Sequence, residues 1–210
     1  MLYNQDCQPC LPSGRKITVL MQTNTTDMTT KHPTLSLSDL TLTALMTAVL
    51  CILCPLALPV GPVPVTLGVF AVFLASSVLG PVKSALACLL YLLLGIIGLP
   101  VFSGYTGGIG KLLGPTGGYI IGYLFLALIC GFFIEKFPEK LPLQMIGFLF
   151  GTLVLYLFGT VWLKKQTGLD FRSALFTGVI PYIPGDFAKL FIAAAIAQPL
   201  KKRLKKAGLL

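Results

Sequence analysis

Charge is scarce in this chain. Only 11% of its 210 residues are Asp, Glu, Lys or Arg, while 55% are apolar; a soluble domain carries about 25% charged residues. Acid is scarcest, with seven Asp and Glu against sixteen Lys and Arg, a formal net charge of +9. Helices of a soluble all-α protein need a polar face, and the long apolar stretches here have almost none, which excludes a soluble fold. Histidine is nearly missing too. His32 is the only one, in a polar N-terminal stretch, so no apolar segment contains an imidazole base or ligand. Neither HExxH nor GxSxG occurs, and Gly110-Lys111 lacks the Gly-Lys-[Ser/Thr] ending and the preceding strand of a phosphate-cradling loop.

What the chain has instead is length without charge. Mean hydropathy is +0.87, and uncharged runs cover 40–82, 84–110, 112–134 and 141–163. A bilayer span takes roughly 20 apolar residues. The first run is long enough for two spans with a turn at Pro59, Pro62 and Pro64, the next three supply one each, and 173–199 supplies a sixth. The expected fold is an all-α integral membrane protein of six transmembrane helices over 37–200. A polar leader, 1–36, precedes it and a basic tail, 201–210, follows. The leader lacks apolar periodicity, reads as disordered and shows no signal peptide. With the N-terminus inside, Arg15, Lys16, Lys31, Lys83, Lys136, Lys140 and the tail's Lys201, Lys202, Arg203, Lys205 and Lys206 are cytoplasmic. Only Lys111, Lys164, Lys165 and Arg172 lie outside. The positive-inside rule thus places both termini in the cytoplasm of a multi-pass cell-membrane protein. The tail is expected to rest on anionic membrane lipid rather than on nucleic acid.

Asp186 and Lys189 fall in the middle of the sixth stretch, in Pro184-Gly185-Asp186-Phe187-Ala188-Lys189. A charge at that depth costs a few kcal/mol at the least, and such residues face a bundle interior or a pathway. Pro184-Gly185 is expected to break the last helix just before the pair. A broken span bearing charge points to a transporter's substrate site.

Glycine and cysteine are the other conspicuous residues. Gly98 to Gly108 leaves the third span and Gly110 to Tyr119 enters the fourth; this outer loop reads either as a lid over a pocket or as plain turns and close contacts. Ala44 with Ala48, Gly118 with Gly122 and Gly147 with Gly151 repeat small residues at four-residue spacing, which lets helices approach closely. For the alanine pair, contact with a separate membrane subunit is the sharper reading. Cys7 with Cys10 and Cys51 with Cys54 have zinc-like spacing, but no His or carboxylate stands beside the second pair. Cys88 and Cys130 read as small buried hydrophobes. No metal site is expected.

Gly98-Leu-Pro-Val-Phe102, Gly107-Gly108, Gly114-Pro-Thr-Gly-Gly-Tyr119 and Pro184-Gly-Asp-Phe-Ala-Lys189, taken together, resemble the BioY family. These are the biotin-specific S components of energy-coupling-factor (ECF) transporters. The resemblance covers about 36–200 and leaves out the leader, which is longer and richer in cysteine than the family pattern. It implies the six-helix S-component fold and capture of biotin from the outer side. Delivery is through a transmembrane coupling subunit driven by two ATPases, or by the chain alone. Any ATP is then used by those partners, and this chain needs no cofactor. Ala44 and Ala48 match the small-residue face that S components present to the coupling subunit.

Chemistry at the pair suits that ligand. Residues 186 and 189 share one helix face. Ionised Asp186 is a two-oxygen acceptor for the N–H groups of a ureido ring, and Lys189 neutralises it and donates to the ureido oxygen or the ligand carboxylate. Phe102, Tyr105, Tyr119, Tyr123 and Tyr182 are expected to line an apolar pocket, with Gly107 and Gly108 on the lid and Lys111 there as a second candidate for the ligand carboxylate. A static ion pair within the bundle is the plainer reading of Asp186 and Lys189. An S component for another vitamin, and an intramembrane enzyme, are the alternatives in function. The second lacks any nucleophile–base set.

Overall fold

The computed structural model describes residues 37–58, 63–138 and 140–206. The leader with Cys7, Cys10 and His32, and the turn prolines Pro59 and Pro62, lie outside the described residues. Six long helices carry the body: α1 (Leu37–Leu53), α2 (Gly68–Leu79), α3 (Pro81–Ile97), α5 (Gly117–Lys136), α6 (Leu141–Thr167) and α8 (Ile183–Lys206). Between α1 and α2 runs a small antiparallel hairpin, β1 (Ala57–Leu58) with β2 (Val65–Thr66), in the register Ala57 to Thr66. A short helix, α4 (Ile109–Leu113), precedes α5, and α7 (Phe171–Gly178) and one 3-10 turn (Ile180–Tyr182) precede α8.

Two sequence expectations change at this level. The uncharged runs suggest helices of full bilayer length, but α1 and α3 have 17 residues each and α2 only 12. At 1.5 Å per residue, α2 rises about 18 Å, short of the roughly 30 Å hydrocarbon layer. The rest of that uncharged sequence forms the hairpin and the 98–108 loop. Such backbone is tolerated at membrane depth because protein covers it. Gly104 N–H donates to Pro55 O at 3.1 Å and Gly108 N–H to Gly95 O at 2.7 Å, which ties loop to hairpin and loop to helix end.

The break before the charge pair also moves. Backbone continuity fails at Val179, whose φ of −131° and ψ of −54° leave the helix, and Pro181 sits in the 3-10 turn. Pro184 falls instead in the first turn of α8, where its missing N–H costs nothing. The basic tail residues through Lys206 continue the helix rather than leaving it.

Helix ends sort into two groups. Lys83 at the start of α3 pairs with Asp39 at the start of α1. Gln144 of α6 caps the carbonyls of Phe137 and Pro138 just past α5. A small crevice brings Ser77, Ile134, Gln144 and Lys201 together. The hairpin, the 98–116 loop and α7 occupy the opposite end, so the six helices alternate in direction. The main core runs through the bundle, with Leu50, Phe73, Tyr91, Leu126, Phe148 and Leu155 essentially unexposed, and a smaller cluster gathers Val63, Tyr119, Leu163, Ala174 and Tyr182. The outer surface is apolar as well: Leu45, Phe132, Leu153 and Phe191 are each more than half exposed, as a lipid-facing surface requires.

Helix α5 docks on α6 through glycines. A Cβ at Gly118 would overlap Trp162, at Gly122 it would overlap Leu155, and at Gly147 and Gly151 it would meet Phe133 and Leu126. The glycine pairs at four-residue spacing are therefore seams inside this bundle. Ala44 and Ala48, by contrast, are both exposed on α1. Among the described cysteines, Cys51, Cys54, Cys88 and Cys130 are free thiols and no metal-holding cluster forms.

Candidate functional site

Asp186 lies in the first turn of α8 and Lys189 one turn on, so both side chains project to the same side of the helix. Lys189 Nζ donates to Asp186 Oδ1 at 2.7 Å and to the carbonyl oxygen of Thr66 at 2.7 Å. The side chains are 13% and 9% exposed for Lys189 and Asp186, so this is a nearly buried pair with an added backbone acceptor. The other carboxylate oxygen, Oδ2, accepts a 2.5 Å hydrogen bond from the Tyr156 hydroxyl on α6. A carboxylate offers about four lone-pair sites. Two are engaged here, and two remain open.

The pair opens on a cavity at the outer end of the bundle. Its wall includes Cys54, Val63, Pro64, Thr66 and Val69 from the hairpin region, Tyr91 from α3, Ser103 and Thr116 from the loop, and Tyr119, Ile120 and Tyr123 from α5. Leu155 and Tyr156 from α6 and Gly178 and Tyr182 from the broken segment complete it. The short α2 makes this space possible, because the hairpin rather than a further helical turn covers it. The tyrosines are individually tethered. Tyr119 donates to Gly178 O at 3.0 Å, Tyr182 to Val63 O, and Tyr123 shares a 3.1 Å hydrogen bond with Thr66 Oγ1. Their rings are thus held as walls, with the polar ends spent on backbone and side chain.

Of the residues expected from sequence, Asp186, Lys189, Tyr119, Tyr123 and Tyr182 come together around this cavity. The other five do not line it. Phe102 is fully buried against Gly95, edge-on to Tyr91 with ring centroids 5.7 Å apart. It anchors the loop in the core because a ring that large gains more by burial there than at a pocket rim. Tyr105 is 64% exposed at a loop tip with φ of 56°. Gly107 packs on the carbonyls of Gly98 and Leu99, where any side chain would collide, and Gly108 closes the loop onto Gly95. Lys111 sits on α4, half-buried and apart from the lining.

Sequence reasoning missed Tyr156, Thr66, Ser103, Thr116 and Tyr91. For Tyr156 a signal existed: Thr152, Tyr156 and Thr160 place polar groups every four residues along an otherwise apolar helix. That spacing marks one inward face.

A bundle of long apolar helices enclosing a nearly buried ion pair beside a tyrosine-walled cavity is a polytopic membrane protein built to hold a small polar molecule. Residues 23–206 match the BioY family, and the chain belongs to it. The chain is 40% identical over 163 residues to a probable biotin transporter BioY of Pyrococcus horikoshii, covering 78% of this chain and 96% of that one. Identity to the biotin transporter BioY of Thermotoga maritima is 41% over 147 residues, 70% of this chain and 86% of that protein. Among solved structures, the S-component for biotin from an ECF-type ABC transporter superposes with a TM-score of 0.73. Identity is 34%, with 78% of this chain and 90% of that one covered. The S-component fold and a multi-pass membrane location follow from this kinship, and so does transport rather than catalysis.

Proposed function

We propose that this chain binds biotin from the outer side of the membrane and carries it inward. The observation that bears the reading is the Asp186–Lys189 pair, nearly buried at the wall of a tyrosine-lined cavity. Asp186 has two acceptor sites left for the two ureido N–H groups. Lys189, bonded to Asp186 and Thr66 O, keeps a third donor for the ureido oxygen. Tyr119, Tyr123 and Tyr182 supply flat apolar surface to the fused rings. The cavity is about 60 Å³, smaller than an ordinary small-molecule pocket, so its walls must give way to admit the ligand.

A static ion pair explains the same residues less well, because an apolar pair fills such a site more cheaply. For delivery, the exposed Ala44 and Ala48 offer a flat strip on which a transmembrane coupling subunit can seat, with ATP used by two ATPases bound to that subunit. The direct test is calorimetric titration of biotin into the purified chain, free of other subunits. Saturable one-to-one binding that excess of another vitamin does not displace is the expected result. Absence of binding sinks the proposal, and displacement by a different vitamin reassigns the substrate.

A further inference from the structure

Ser103 and Thr116 are 8% and 6% exposed, both line the cavity, and neither hydroxyl has a hydrogen-bond partner among the described residues. An orphaned buried hydroxyl is costly, and most such groups in native proteins find a partner. The two come from one stretch of chain, Ser103 in the 98–108 loop and Thr116 at the residue that precedes α5. Thr116 occupies the N-cap position without bonding any N–H of its own helix. A threonine there ordinarily spends its oxygen on the second or third helical N–H. This one is left uncommitted beside the positive end of a 20-residue helix dipole.

The other hydroxyls of the cavity are committed. Tyr119, Tyr182 and Tyr156 donate to Gly178 O, Val63 O and Asp186. Tyr123 and Thr66 bond one another, and Tyr91 interacts with the Cys54 thiol. Lys189 is the cation of the lining and is bonded to Asp186 and Thr66 O, while Lys111 lies outside it. A ligand with a ureido ring and an acid terminus therefore meets two differently equipped regions. One is an ion pair with spare acceptors, and the other holds two uncommitted hydroxyls, Ser103 on the loop and Thr116 at the N-terminus of α5.

We propose that the Ser103 and Thr116 hydroxyls, with the N-terminal end of α5, receive the ligand's carboxylate, so that this chain selects a free acid over its neutral derivatives. This rests on the biotin reading above and deepens it. Two hydroxyl donors fit the two oxygens of one carboxylate, and hydrogen bonds to a charged acceptor are stronger than neutral ones. The Asp186–Lys189 pair is then left wholly to the ureido ring.

The test compares biotin with biotin methyl ester, which keeps the rings and loses the charge, on the full chain by calorimetry. Wild type prefers the acid. Ser103→Ala and Thr116→Val each weaken biotin binding about tenfold but leave the ester nearly unchanged, and Thr116→Ser, which keeps the hydroxyl, retains wild-type preference. Asp186→Asn weakens acid and ester alike. Equal losses for acid and ester in the Ser103 and Thr116 variants overturn the assignment in favour of a structural role, as does unchanged biotin affinity. Should Thr116→Val fail to insert, Ser103→Ala at its loop position carries the same comparison. Failure of wild type to bind biotin at all refutes the parent reading instead, so the two failures are distinguishable.

Discussion

Asp186 is the residue on which two helices and the hairpin converge. Lys189 from its own helix, Tyr156 from α6 and, through Lys189, the Thr66 carbonyl of β2 all meet there. Replacing Asp186 with Asn keeps the shape and converts a two-oxygen acceptor into half donor. One ureido N–H then faces an N–H, and biotin affinity falls at least tenfold, about 1.4 kcal/mol or more, while the protein still inserts; calorimetry on the purified variant checks this. Lys189→Ala is harsher. It strands a nearly buried carboxylate, and removing one partner of a buried pair costs about 3–5 kcal/mol. The expected outcome is loss of radiolabelled biotin retention together with a lowered melting temperature. The pair itself was legible in the sequence, since two opposite charges inside an uncharged stretch announce one another at helical spacing. Tyr156 was legible only through its four-residue spacing with Thr152 and Thr160, because a lone tyrosine in a span reads equally as an interfacial anchor. Phe102 misled for a related reason: aromatic rings fill cores and pockets alike, and only the contact with Gly95 decides between them.

At the scale of elements, the sixth helix shows both the reach and the limit of sequence pattern. A break near Pro184 was expected, and the chain does break, but at Val179 to Tyr182. Proline is compatible with a first helical turn, so its presence gives a boundary without saying on which side the helix lies. Uncharged loops were the larger obstacle. Residues 54–67 and 98–108 carry no charge, and hydropathy alone cannot separate them from span. The α5–α6 seam makes a sharper case. Gly159 of α6 lies flat against the ring of Tyr119, whose hydroxyl is fixed on Gly178 O. A methyl group there overlaps the ring, and overpacking of this kind costs about 1–3 kcal/mol. Gly159→Ala is expected to lower the melting temperature and also weaken biotin binding, since the displaced ring is a wall of the cavity. A variant with wild-type stability and affinity shows that the seam yields without moving Tyr119.

Over the whole molecule, the charge distribution and the helix directions agree. Lys83, Lys136, Lys140 and Lys201 fall at the end that holds Asp39 and Gln144, away from the cavity. The cavity end carries few basic residues, as the outer side of the membrane should. That polarity was readable from lysine counts, whereas the cavity was not, because it depends on α2 stopping short. A molecule that fills its pocket at one end and must release its ligand at the other needs to change orientation or be opened by a partner. The surface that serves this purpose should be smooth and far from the ion pair in sequence. Ala44 and Ala48 fit: both are exposed, one helical turn apart, on a helix whose opposite face buries Leu42, Met46 and Leu50. Small side chains there allow another helix to approach to backbone contact. Changing both to Leu adds bulk on the lipid-facing side only, where an apolar residue is at home, so insertion and biotin binding are expected to stay as in wild type. Co-purification with a transmembrane coupling subunit is expected to be lost. Retained co-purification places the docking surface elsewhere, and lost biotin binding shows that α1 supports the cavity instead.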